Sequence, residues 1–194
     1  MINFLLNIDL YLFKFINTYI SNPLFDILFV FFHSCHKKMW FVIPILLIWG
    51  FYAIKDKKNR LVLLLLIPLS ILITDQTGKA IKNMELRNRP YMTLDIENVN
   101  LLVKATKDND GNYKKTTSST RSFPSNHSAN IWAVCYLLSY AYNNKKRYFF
   151  TLAILVSLSR IYVGVHYPFD VLIGMTIGLT VSYFLIKITK KLIR

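Results

Sequence analysis

The chain alternates long apolar runs with short basic clusters, and this alternation restricts its fold more than any other feature. Residues 61–82, 126–143, 147–164 and 168–188 are runs of membrane-crossing length, because a helix needs about 20 apolar residues, range about 17–25, to traverse a bilayer. Inside lipid the backbone N–H and C=O groups must pair within the segment, which makes such runs helical. Two shorter runs, 23–35 and 39–54, come before them. The polar break His33-Ser34-Cys35-His36-Lys37-Lys38 favours two separate helices there over one re-entrant hairpin. Residues 2–21 are apolar but interrupted: Asn3, Asn7, Lys14, Asn17, Thr18 and Ser21 share one helical stripe, and Asp9 falls off it. That pattern predicts an amphipathic helix lying in the membrane interface. Asn22-Pro23 then opens a new helix with Pro at the first position. The expected fold is all-α: a polytopic membrane helix bundle of about six transmembrane helices plus an N-terminal interfacial helix, one domain over residues 1–194.

Composition agrees. At 54% hydrophobic residues and a mean hydropathy of +0.35 the chain is too apolar for an ordinary soluble domain. The net charge of +14 comes from 24 Lys+Arg against 10 Asp+Glu. These basic residues lie in short clusters between the spans and divide between two membrane faces, so nucleic-acid binding is not expected. Three clusters orient the chain: Lys55, Lys57, Lys58 and Arg60; Lys145, Lys146 and Arg147; Lys187, Lys190, Lys191 and Arg194. Six spans place all three on one face, which the positive-inside rule makes cytoplasmic. The N-terminus lacks a basic n-region and a small-residue cleavage site, so no cleavable signal peptide is expected. Cys35 and Cys135 sit in or beside apolar segments and are expected to be free buried thiols.

The opposite face receives three short strings: Lys82 with Arg89-Pro90, then Pro124-Ser125-Asn126-His127, then Ser159-Arg160 with His166 and Asp170. Together they bring two histidines, three cations and one carboxylate to one surface. Ionisable residues at membrane depth are costly and mark function. Lys82 and Arg89 would share a helix face and suit phosphate oxygens, the guanidinium in bidentate fashion and the ammonium as a point charge. Lys79 and Arg87 are read as cations that only snorkel to the interface. Ser125 and Asn126 open a helix whose free N–H groups form an anion site, and Ser125 either caps it or binds phosphate. His127 points into the same region. His166 and Asp170 are four residues apart, a spacing that permits a carboxylate–imidazole hydrogen bond. A metal site is disfavoured, since Lys82, Arg89 and Arg160 make the local field positive.

These strings resemble the signature of the type 2 phosphatidic acid phosphatase (PAP2) superfamily, Lys-x6-Arg-Pro, Pro-Ser-Gly-His and Ser-Arg-x5-His-x3-Asp. Asn126 stands where that family usually carries glycine. The resemblance implies a phosphatase that needs no cofactor. In it His166 attacks phosphorus, Asp170 orients and activates it, and His127 protonates the leaving oxygen and then assists water. Lys82, Arg89, Ser125, Asn126 and Arg160 hold the phosphate. Asp75 is expected to pair with a cation or support packing.

The expected substrate is a lipid phosphate or pyrophosphate of the outer leaflet, met at the extracytoplasmic face of a bacterial plasma membrane. Candidates are undecaprenyl pyrophosphate, phosphatidylglycerol phosphate, phosphatidic acid and lipid A 1-phosphate. The polar loop 91–123, with Lys104, Lys107, Lys114, Lys115 and Arg121, is either a solvated connection or a flap that favours a heavily anionic headgroup. A phosphotransferase with the same histidine chemistry and a non-enzymatic lipid or anion transporter are the rival readings. Headgroup, chain and oligomeric state stay open at this level.

Overall fold

The computed structural model describes residues 2–94, 99–103 and 121–192. Lys104, Lys107, Lys114 and Lys115, on which the flap reading rests, lie outside the described residues. The described chain is helical: α1 Ile2–Lys14 with a wider turn at Phe15–Tyr19, α2 Pro23–Ser34, α3 Met39–Lys55, α4 Ile67–Lys82 led in by a wide turn at Val62–Leu66, the short α5 Pro90–Thr93, α6 Asn126–Ala141, α7 Lys146–Tyr162 and α8 Pro168–Leu192.

Local chemistry places the helix starts. Asn22 caps α2, its side-chain oxygen accepting from Phe25 N–H at 3.0 Å, with Pro23 next in line. Ser125 caps α6 by accepting from Ser128 N–H at 3.5 Å. Both residue types satisfy N–H groups that a helix start leaves without partners. Separate helices α2 and α3 are joined by a single 3-10 turn at Cys35–Lys37, where the sequence shows its polar break.

Helix α6 is the centre, packed against α4, α7 and α8. Small residues let α8 approach it closely. A Cβ at Gly174 would lie 2.4 Å from the Ser125 carbonyl oxygen, and one at Gly178 would lie 2.2 Å from that of Ala129. One helical turn further on, Ser182 Oγ donates to the Ala133 carbonyl at 3.0 Å. A Gly-x3-Gly-x3-Ser stripe against Ser125, Ala129 and Ala133 is the close packing that membrane helices use, since lipid gives them no hydrophobic drive to associate. Outward faces are apolar instead of polar: Ile45, Leu46, Leu47 and Ile48 on α3, Leu72 on α4, and Phe184 and Ile188 on α8 are all exposed. Among the described residues, Val62–Lys82 and Pro168–Leu192 are long and apolar enough to cross a membrane, with a third span if the bent pair Asn3–Tyr19 and Pro23–Lys37 counts as one.

The two ends of the bundle differ in chemistry. At one end Tyr142 Oη donates to Asp56 at 2.9 Å, Arg60 Nε donates to the Ala53 carbonyl at 3.1 Å, and the Lys190 ammonium lies 4.9 Å from the Tyr140 ring centre. The described members of the three basic clusters are thereby gathered there. The opposite end receives the end of α4 and the starts of α6 and α8. The N-terminal segment wraps that second end. Asp9, Phe13 and Asn17 form its inward stripe, each fully buried. The sequence pattern marks Asn3 and Asn7 as part of the segment's polar face and leaves Asp9 off it; the structure turns Asp9 inward because it has partners there. Helix α2 crosses the last turn of α7: Tyr162 Oη donates to Asp26 at 2.6 Å near one end of α2, and Arg160 reaches His33 near the other.

Candidate active site

His166 sits in the turn between α7 and α8 and is 3% exposed. Its Nδ1 lies 3.2 Å from Ser122 Oγ and 3.7 Å from Asp170 Oδ2. The same Asp170 oxygen accepts from Tyr167 N–H at 2.9 Å and from the Ser122 hydroxyl. Ser122 is thus shared between ring and carboxylate. Its own N–H donates to the Arg87 carbonyl at 2.8 Å, which fixes the strand-like approach to α6. With Nδ1 occupied on the Asp170 side, Nε2 is the nitrogen left free for a substrate atom. Burial pushes the His166 ring down to about 4, against the neighbouring Asp170 carboxylate, which works the other way. The ring is therefore neutral at pH 7 and carries a lone pair.

The cations surround this ring. Lys82 donates to the carbonyls of Pro124 and, at 3.3 Å, Ser122, so it also ties down the segment that leads into α6. Arg89 precedes α5, and the charges of Lys82 and Arg89 both bear on His166. Arg160, on the last turn of α7, is 2% exposed and donates from one terminal nitrogen to His33 Nδ1 at 2.8 Å. The Nε atoms of Arg89 and Arg160 are buried without a hydrogen-bond partner among the described residues. Buried N–H donors on charged guanidinium groups are expensive to leave unpaired. Two of them beside a neutral buried imidazole make a cradle for an anion with several oxygens.

Ser125 is fully buried and its hydroxyl serves as the α6 cap, while its N–H donates to the Asp170 carbonyl at 3.0 Å. Asn126 turns towards α4, donating to Asp75 Oδ1 at 3.3 Å. Asn130 donates to the same oxygen at 3.0 Å and accepts from Thr74 Oγ1 at 2.6 Å. Asp75 thus supports packing through two asparagines, one of the two roles open to it from the sequence. Room for Asn126 comes from Gly78, where a Cβ would lie 2.3 Å from the Asn126 side-chain oxygen. His127 is exposed at the mouth of the site, its Nε2 3.3 Å from His36 Nε2.

All eight residues singled out from the sequence therefore stand at one end of the bundle. Five further residues join them. Ser122, His33 and His36 are already placed. Arg87, read from sequence as a snorkelling cation, forms an ion pair with Asp9, lies 3.5 Å from Asp170 Oδ1 and stacks 3.4 Å from the Tyr167 ring centre. Asp9 in turn accepts from Phe169 N–H at 2.8 Å. The pair braces the start of α8 from behind the His166–Asp170 contact. The only sequence hint of the two extra histidines is their spacing of three within the polar break, which places both on one side of a short helical turn.

The model of the PAP2 superfamily matches residues 63–194. The bacitracin transport permease protein BcrC of Bacillus licheniformis is 28% identical over 142 residues, 73% of this chain and 63% of that protein. The lipid A 4'-phosphatase of Porphyromonas gingivalis is 28% identical over 179 residues, 87% of this chain and 68% of that protein. The chain thus spans about two thirds of the length of these relatives. The crystal structure of Aquifex aeolicus LpxE superimposes with a TM-score of 0.70 at 27% identity, covering 92% of this chain and 94% of that one. The crystal structure of a transmembrane PAP2 type phosphatidylglycerolphosphate phosphatase from Bacillus subtilis shares the fold, with a TM-score of 0.68 at 24% identity over 97% of this chain and 88% of that one.

Proposed function

This chain belongs to the PAP2 superfamily, and we propose that it is an integral-membrane lipid phosphatase working through a phosphohistidine without a metal ion. The observation that carries this reading is His166: a buried neutral imidazole, held on its Nδ1 side by Asp170 and Ser122, beside two guanidinium groups with unpaired buried Nε donors. Phosphoryl transfer asks mainly for positioning and for neutralisation of charge on the phosphate oxygens. Lys82, Arg89 and Arg160 supply both, and their positive field would repel a divalent cation.

His166 Nε2 attacks phosphorus and the bond to the lipid oxygen breaks, with His127 giving that oxygen a proton. Asp170 stabilises the charge that develops on the His166 ring. Water then attacks the phosphohistidine and gives its proton to His127. The P–N bond breaks and phosphate leaves, which returns both rings to their starting state. Ser125 and Asn126 act through the start of α6, whose N–H groups face the same anion. The substrate class is a lipid phosphate monoester or pyrophosphate. It enters laterally from the outer leaflet of a bacterial plasma membrane, at the face opposite the three basic clusters.

The test is phosphate release by the detergent-purified protein in EDTA from undecaprenyl pyrophosphate, phosphatidylglycerol phosphate, phosphatidic acid and lipid A 1-phosphate. The expected result is release from at least one lipid, lost in His166→Ala. Release that survives that substitution would refute the nucleophile. No release from any of the four by folded protein would refute the phosphatase reading.

A further inference from the structure

The segment Ser34–Lys38 carries no part of the three strings that define the site, yet it delivers a histidine to the mouth. His36 Nε2 and His127 Nε2 are 3.3 Å apart, with ring centres at 4.8 Å and planes inclined at 62°. The turn that holds His36 is itself anchored. Ser34 Oγ donates to the Val30 carbonyl at 2.7 Å, Lys38 N–H donates to the Cys35 carbonyl at 3.0 Å, and His33 takes the Arg160 guanidinium. A hydrogen bond between two Nε2 atoms admits one proton between them. Two imidazolium rings would present two donors and no acceptor.

The surroundings make that single proton consequential. Arg160 from α7, His166 from the α7–α8 turn, and His33 and His36 from the α2 end all face His127, and Lys37 and Arg160 face His36. Among the described residues no carboxylate is hydrogen-bonded to either ring. A general acid must carry its proton at the working pH. A carboxylate partner would retain that proton but would repel the phosphate. A neutral imidazole retains it through a charge-assisted hydrogen bond and adds no negative charge.

We propose that His36 is a positioning residue for the leaving-group proton, its Nε2 accepting from His127 and keeping that ring protonated and aimed in the cationic mouth. The inference rests on the phosphatase reading for its use but not for its existence. His127 gives its proton to the leaving oxygen and takes one back from the attacking water, so His36 ends the cycle in the state in which it began.

The experiment compares wild type, His36→Ala and His36→Gln in two measurements. One is the pH profile of kcat/KM for phosphate release in mixed micelles from whichever of the four candidate lipids is cleaved. The other is the titration of the His127 ring, followed by its nitrogen chemical shifts in detergent. In His36→Ala the alkaline limb of the profile and the His127 titration are both expected to move down by about one pH unit, as the loss of a hydrogen bond to a charged group implies. In His36→Gln, whose side-chain carbonyl accepts the same N–H, most of that shift is recovered. A loss of rate that is equal at every pH, with the His127 titration unmoved, overturns the inference and reduces His36 to packing. If wild type cleaves nothing and the His127 titration still moves in His36→Ala, the pair stands and the phosphatase reading falls.

Discussion

The brace behind the site, Asp9 with Arg87, offers a quantitative test of how the N-terminal segment holds α8. The Asp9 side chain is fully buried, while that of Arg87 is 21% exposed. Arg87→Met would leave a buried carboxylate facing Asp170 with no cation between them. Breaking a buried ion pair from one side costs about 3–5 kcal/mol, and the water that reaches Arg87 places this case near about 3. Asp9→Asn keeps an acceptor for the Phe169 N–H and removes only the charge. Arg87 retains Asp170 at 3.5 Å, so the cost is about 2 kcal/mol. If the two side chains act as a pair, the double variant also costs about 2 kcal/mol instead of the sum of about 5, a coupling of about 3. Thermal unfolding in detergent, read by tryptophan fluorescence, measures this. Arg87→Met is expected to lower Tm by roughly 6–12 °C for a domain of this size, and the double variant is expected to recover about a third of that. Phosphate release is not expected to recover with it, because Asp170 still lacks its neighbouring cation. A double variant that loses the sum of the two single losses would refute the pairing.

Two other outcomes follow from the same geometry. Gly78→Ala would place a methyl 2.3 Å from the Asn126 side-chain oxygen, an overpacking expected to cost about 1–3 kcal/mol and to lower phosphate release. Adding Asn126→Gly is expected to restore both Tm and activity, and failure to do so would mean that α4 and α6 are not in register through this contact. The second outcome concerns pH. His166 titrates near 4 in the folded chain against an ordinary 6.5, pushed down first by burial. Below pH 6.5 the unfolded ring binds a proton that the folded ring does not, so stability falls on acidification from 6.5 to about 4, by on the order of 3 kcal/mol. Unfolding scans across that window are expected to show a shallower slope in His166→Gln, and an unchanged slope would assign the acid sensitivity elsewhere.

Much of this protein follows from short-range order in the chain. The apolar runs demand helices because lipid leaves the backbone no other partners, and the basic clusters order the ends. Asn22 and Ser125 read as caps and act as caps, because capping is settled within three residues. Lys82, Arg89, Ser125, Asn126, His127, Arg160, His166 and Asp170 were legible together because each lies at the end of a run, and alternating helices bring such ends to one face. What remained hidden depends on approaches between segments far apart in sequence. Ser122 meets Asp170 across 48 residues, Arg87 meets Asp9 across 78, and His36 meets His127 across 91. No local pattern encodes these distances. They follow from α8 lying close on α6 through Gly174 and Gly178, and from α2 crossing the last turn of α7. The sequence by itself determined an all-helical membrane chain with a phosphate-shaped set of residues at one end. The tertiary structure alone decided that Asp9 turns inward, that Arg87 braces α8, and that His33 at the end of α2 and His36 in the turn after it join the site, because a buried charge or a shared proton is settled by whichever partner the packing brings within reach.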